Sequence, residues 1–235
     1  MTDDALLCIH GAGGRGLVWQ HQALAFPRAR TPDLAGRAGG APDRVDVHVE
    51  TLRRAFPGGP WVLVGHSLGS AIALLWALEH PDDVRGLVLV GAGAKMRVNP
   101  VWLEGLARRD RAALEEFGAA WFGPTAGARL RDKSLALLRA TPPDVLLADL
   151  HAADRFDVTD RLDRLAVPTL VLCGADDRLT PPKFSRYLHE RIAGSVLEIV
   201  PDAGHMVMLE QPHTVNAAIR RFLRRLNERH DGGTA

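Results

Sequence analysis

Short apolar runs alternate with stretches of helical spacing over the first ninety residues. Leu6-Leu7-Cys8-Ile9 opens the series and predicts a first strand over residues 5–9. Leu17 to Ala25 reads as a helix, and Arg28 to Asp33 as a short second strand. That strand would lie at an edge, where Arg28, Arg30 and Pro32 guard against further pairing. A loop rich in Gly and Ala follows over 34–42, and Val45 to Phe56 predicts a helix stopped by Pro57-Gly58-Gly59. Pro60-Trp61-Val62-Leu63-Val64 then reads as a buried strand, Ala71 to Leu78 as a helix ending near His80-Pro81, and Val84 to Val90 as a fourth strand.

From about Ala94 to Leu165 the pattern changes. No strand-like run occurs there, and apolar residues recur at helical intervals (Trp102, Leu103, Leu106; Leu114, Phe117, Trp121; Leu130, Leu135, Leu138). Breaks fall at Gly123-Pro124 and Pro142-Pro143. Pro168 to Cys173 restores the strand pattern, followed by a helix from Pro182 to Ile192, a sixth strand at Val196–Val200 and a last helix from Pro212 to Asn227. Strands apolar on both faces and alternating with helices predict an α/β fold. Its sheet would have about six mostly parallel strands with helices on both faces. Residues 1–93 and 166–235 form the expected core, and 94–165 a helical cap insertion.

Composition adds limits. A chain of 235 residues fits one α/β domain with an insertion. The formal net charge of +1 gives no reason to expect nucleic acid or a charged membrane surface as partner. Two cysteines, each inside an apolar run, predict buried free thiols rather than a disulfide scaffold. No apolar stretch reaches membrane-spanning length, and Met1-Thr2-Asp3-Asp4 does not start like a signal peptide, so a cytoplasmic protein, monomeric or homodimeric, is expected. The arginines of the last helix (Arg220, Arg221, Arg224, Arg225) read as a solvated face.

Chemistry concentrates around Val64-Gly65-His66-Ser67-Leu68-Gly69-Ser70, a G-x-S-x-G between strand and helix. Gly65 and Gly69 free the turn of Cβ collisions, and Ser67 stands at the helix N-terminus, where free N–H groups favour negative charge. A serine hydroxyl needs a base, and the base an orienting acid. Candidates for both follow Ser67, the acid first and then the base, each after a strand. Gly174-Ala175-Asp176-Asp177-Arg178-Leu179-Thr180-Pro181 offers two adjacent acids, and Pro201-Asp202-Ala203-Gly204-His205-Met206 offers a histidine. Asp202 reads as a turn residue, and His66 as a packing or supporting group.

These segments, with His10-Gly11-Ala12-Gly13-Gly14 after the first strand, resemble the alpha/beta-hydrolase superfamily. The resemblance implies that Ser67 is the nucleophile, His205 the base and Asp177, rather than Asp176, the acid. It assigns the oxyanion hole to the backbone N–H groups of Ala12 and Leu68. The short N-terminus, the His-Gly-Ala start, Trp19 and Asp33-Leu34-Ala35 are similar to a subgroup containing plant methylesterases and hydroxynitrile lyases. Lyases of that subgroup carry Thr at the position of Gly11 and Lys at that of Met206, so the resemblance implies hydrolysis. Haloalkane dehalogenases and epoxide hydrolases would have Asp in place of Ser67.

The leading expectation is a carboxylic ester hydrolase acting on small or medium esters through an acyl-enzyme, with no metal or organic cofactor. A C–C bond hydrolase, thioesterase, amidase or lyase on the same triad remains open, as does a weakly catalytic ligand-binding protein. Gly11, Trp19, Trp121, Phe122 and Met206 are candidate pocket residues.

Overall fold

The computed structural model describes residues 5–36 and 40–231. Five strands, β1 (Leu6–Ile9), β2 (Trp61–His66), β3 (Val84–Val90), β4 (Thr169–Gly174) and β5 (Val196–Val200), form one sheet in the order β1-β2-β3-β4-β5. Every neighbouring pair is parallel. The helices, in chain order, are α1 (Gln20–Ala25), α2 (Val45–Ala55), α3 (Leu68–Glu79), α4 (Pro100–Ala107), α5 (Arg111–Ala119), α6 (Ala128–Arg139), α7 (Pro143–Arg155), α8 (Pro182–Arg191), α9 (Val207–Glu210) and α10 (Pro212–Asp231).

Alternate strand residues enter two separate cores, as the period of two requires. Leu7, Ile9, Leu63, Leu87, Leu89 and Val171 pack with α2, α3 and α8. Leu6, Cys8, Val64, Val88, Val90 and Leu172 point the other way, toward α10 and the segment between β3 and β4. Helix α3 is buried from Leu68 through Ala77, which explains why its sequence is apolar all round.

The expected strand at Arg28 to Asp33 is not formed, so the sheet has five strands rather than six. One parallel bridge joins Arg30 to Leu7, with the Cys8 N–H donating to the Arg30 carbonyl and the Arg30 N–H to Leu6. The next donor in that register would be residue 32, a proline without an N–H, so the ladder stops. In the loop expected at 34–42, residues 37–39 lie outside the described residues.

Helices α4 to α7 all fall between β3 and β4. The ends of this segment run beside each other: Val158 donates to the Ala94 carbonyl, Met96 to that of Phe156, and Lys95 pairs with Asp157. Asn99 and Asp110 cap α4 and α5 by accepting from the backbone two residues on. Cys8 and Cys173 are free and buried, and burial pushes both thiols up to about 12. The four arginines of α10 are exposed, Arg221 pairing with Glu198 and Arg220 lying over the Phe26 ring. Among the described residues no helix is long and apolar enough to cross a membrane.

Candidate active site

β2 ends at His66 and α3 begins at Leu68, leaving Ser67 to turn the chain alone. Its φ of 52° lies in the left-handed region that L-residues other than Gly rarely adopt. Surrounding contacts hold it there: its N–H donates to the Val90 carbonyl, and its own carbonyl accepts from the Ser70 N–H and hydroxyl. A Cβ on Gly65 would fall 2.2 Å from the Gly69 carbonyl oxygen, and one on Gly69 would fall 2.1 Å from that of Ile9. Neither position has room for any side chain.

The loops after β4 and β5 bring Asp177 and His205 together from 28 residues apart. His205 Nδ1 lies 2.8 Å from Asp177 Oδ2, and both side chains are almost wholly buried. A carboxylate only accepts, so Nδ1 carries the proton, and the lone pair of neutral His205 is at Nε2. The second Asp177 oxygen accepts the N–H groups of Leu179 and Thr180, and the Thr180 hydroxyl donates to Oδ2. Burial pushes the Asp177 carboxyl up, but the His205 charge, the His205 hydrogen bond and the Thr180 donors outweigh it, leaving it below the ordinary carboxylate range. Asp176 lines a separate groove with Phe122 and Arg131. Asp202 shapes the turn, with φ 53° and a carbonyl that accepts from Thr125 and Gln211.

Ser67 and His205 open onto one cavity of about 430 Å³. Gly11, Ala12, Trp121 and Met206 also line it. Trp19 and Phe122 do not. Trp19 is fully buried with its ring edge-on to His66, and Phe122 is in the core under the Arg131 guanidinium. The wall from α4, α5 and the turn after α5 is aromatic: Trp102, Phe117 and Trp121 meet edge to face at 5.6 and 5.7 Å. Leu68 is buried at the first position of α3, where helix geometry leaves its N–H without an intrahelical acceptor. A turn closed by the Gly14 N–H on the Gly11 carbonyl carries Ala12. His10 steadies that loop, its Nε2 accepting from Leu34 and its Nδ1 donating to Gly11.

Two supporting residues, Thr180 and Glu210, were not singled out by the sequence. Thr180 could have been, since Asp followed by backbone donors two and three residues on is an Asx-type turn. His66 donates from Nε2 to the His205 carbonyl at 3.0 Å, with the two rings 4.5 Å apart. Burial, reinforced by His205, pushes the His66 imidazole well below its ordinary range, so it is neutral. Glu210 accepts the N–H groups of Gly123 and Gly204, tying the end of the aromatic wall to the His205 loop. Among the described residues no cluster of His, Cys, Asp or Glu is arranged to hold a metal ion.

Comparison with known proteins gives the same architecture. A model of the alpha/beta hydrolase family matches residues 6–218. A pimeloyl-[acyl-carrier protein] methyl ester esterase of Neisseria meningitidis serogroup B is 31% identical over 211 residues, covering 84% of this chain and 77% of its own. A solved thermophilic esterase is 32% identical, with a TM-score of 0.83 over 95% of this chain and 91% of its own. The esterase of Thermogutta terrifontis, solved with malate bound, is 28% identical with a TM-score of 0.84, covering 96% and 91%. Sheet order, the strained serine turn and a match across most of its length agree: the chain belongs to the alpha/beta hydrolase family.

Proposed function

We propose that the protein is a carboxylic ester hydrolase with Ser67, His205 and Asp177 as its catalytic triad. Ester hydrolysis is the activity that its similar relatives carry by name. One observation supports the triad most: a buried Asp177–His205 pair facing the same cavity as a serine held at φ 52°.

The Ser67 hydroxyl attacks the ester carbonyl carbon while His205 Nε2 takes its proton, and Asp177 stabilises the imidazolium. The oxyanion accepts hydrogen bonds from the backbone N–H groups of Ala12 and Leu68, each contributing roughly 2.7–4 kcal/mol to the transition state. Collapse expels the alcohol, which leaves with the proton from His205, and the acyl group stays on Ser67. Water then attacks the acyl-enzyme, with His205 again as base. The acid leaves, and Ser67 regains its proton. Gly11 leaves space beside Ser67, and Met206 brings no charge, which favours hydrolysis over cyanohydrin cleavage.

Residues 94–165 act in this reading as a cap whose aromatic wall selects the acyl chain. The test of the triad's nucleophile is covalent labelling by a fluorophosphonate, read by peptide mass spectrometry. A single adduct on the Ser67 peptide, lost in Ser67→Ala, is expected. Labelling elsewhere, or none with an ester still hydrolysed, would overturn the assignment.

A further inference from the structure

The cavity has an uneven charge. Of the ionisable residues lining it, His66 and His205 are accounted for, and the other two are Arg97 and Arg178; no Asp or Glu lines it. Several other arginines sit against carboxylates, among them Arg53 on Asp83, Arg155 on Asp43 and Arg161 on Glu79. Arg97 and Arg178 have no carboxylate partner among the described residues. Each is instead oriented by a backbone carbonyl: Arg178 donates to Ala119 at 3.0 Å, and Arg97 to Asp154 at 3.1 Å. A carbonyl fixes the direction of a guanidinium without cancelling its charge, and most of the planar donor fork is left over.

The other walls sharpen this. Val18, Val98, Phe117, Leu150 and Phe184 are apolar, while Arg97 and Arg178 are exposed, so the two charges stand at the solvent side of a cavity with hydrocarbon walls. Trp102 lines the same cavity, and its indole N–H has no acceptor among the described residues. Two guanidiniums and a spare indole donor around an apolar cavity are complementary to an anion joined to a hydrocarbon chain.

We propose that Arg97 and Arg178 form an anion subsite and that the preferred substrate is an ester bearing a remote carboxylate, such as the half-ester of a dicarboxylic acid. The remote carboxylate takes no part in the reaction. It is held by charge-assisted hydrogen bonds while the neutral ester group lies at Ser67. This rests on the ester hydrolase reading above and narrows it.

The experiment compares kcat/KM for monomethyl and dimethyl esters of dicarboxylic acids of graded length, in the intact protein. At one length the half-ester is expected to exceed the diester by about tenfold, the equivalent of about 1.4 kcal/mol. That ratio should shrink as salt is added and collapse toward one in the Arg97→Gln/Arg178→Gln double variant. If the double variant does not fold, the wild-type salt dependence and competitive inhibition by the free dicarboxylate carry the test. Diesters hydrolysed as well as half-esters at every length and salt concentration would overturn the anion subsite and leave the hydrolase standing. Hydrolysis of neither, without Ser67 labelling, would overturn both.

Discussion

Asp149 of α7 accepts the backbone N–H of Gly13 through Oδ2 at 3.0 Å, so the segment between β3 and β4 grips the loop that carries Ala12. Thr141 holds the next peptide of the same loop, its hydroxyl donating to the Gly13 carbonyl. Both residues are buried. Losing the acceptor strands a buried N–H, at a cost of about 1–3 kcal/mol. Asp149→Ala should therefore lower the melting temperature and reduce kcat more than it raises KM. Asp149→Asn, which keeps an acceptor oxygen, should lie between. Steady-state kinetics beside thermal denaturation checks this; equal effects of Ala and Asn on kcat would contradict it.

Adjacent aromatic residues should behave differently. Trp121 lines the cavity and Phe122 faces the core. Trp121→Ala is expected to shift the acyl-length optimum toward longer chains, measured on nitrophenyl esters from acetate upward. Phe122→Ala should cost about 3–5 kcal/mol of stability and lower all esters alike. A length shift from Phe122→Ala would contradict this division.

Acid sensitivity follows from Asp177. Its carboxyl is held below the ordinary range in the native state, so its stabilising contribution is complete above the ordinary value of 3.8. That contribution is lost as pH falls through the lower native value. Urea unfolding from neutral pH down to about pH 3 should show the wild type losing more stability than Asp177→Asn. Parallel curves for the two proteins would rule out that linkage.

Gly11 sets the room beside Ser67. An added Cβ would fall 2.9 Å from Ser67 Cβ and 3.0 Å from His66 Nδ1. Gly11→Ala should cut kcat/KM by roughly tenfold or more, because a displacement of about 1 Å costs catalysis heavily. Activity near that of wild type would mean that the turn relaxes at no cost to the reacting geometry.

What was legible in the sequence was local. Gly65, Ser67 and Gly69 encode the turn within five residues, and Asp177 and His205 each follow a strand end in a short, recognisable loop. The failed strand at Arg28–Asp33 was also a local matter, since Pro32 removes the one donor needed to extend the bridge at Arg30. What could not be read joins distant segments. Asp149 reaches Gly13 across 136 residues and His66 reaches His205 across 139, and neither pairing leaves a periodic trace. Trp121 and Phe122 have the same apolar character at adjacent positions, and only packing decides which faces the cavity.

The central claim, that Ser67 and His205 act as one catalytic unit, is tested most directly by a double-mutant cycle on a nitrophenyl ester. Ser67→Ala and His205→Ala should each lower kcat by roughly 10⁴-fold or more, and the double variant should fall within a fewfold of either single. Losses that multiply, or a Ser67→Ala protein that keeps substantial esterase activity, would contradict the account.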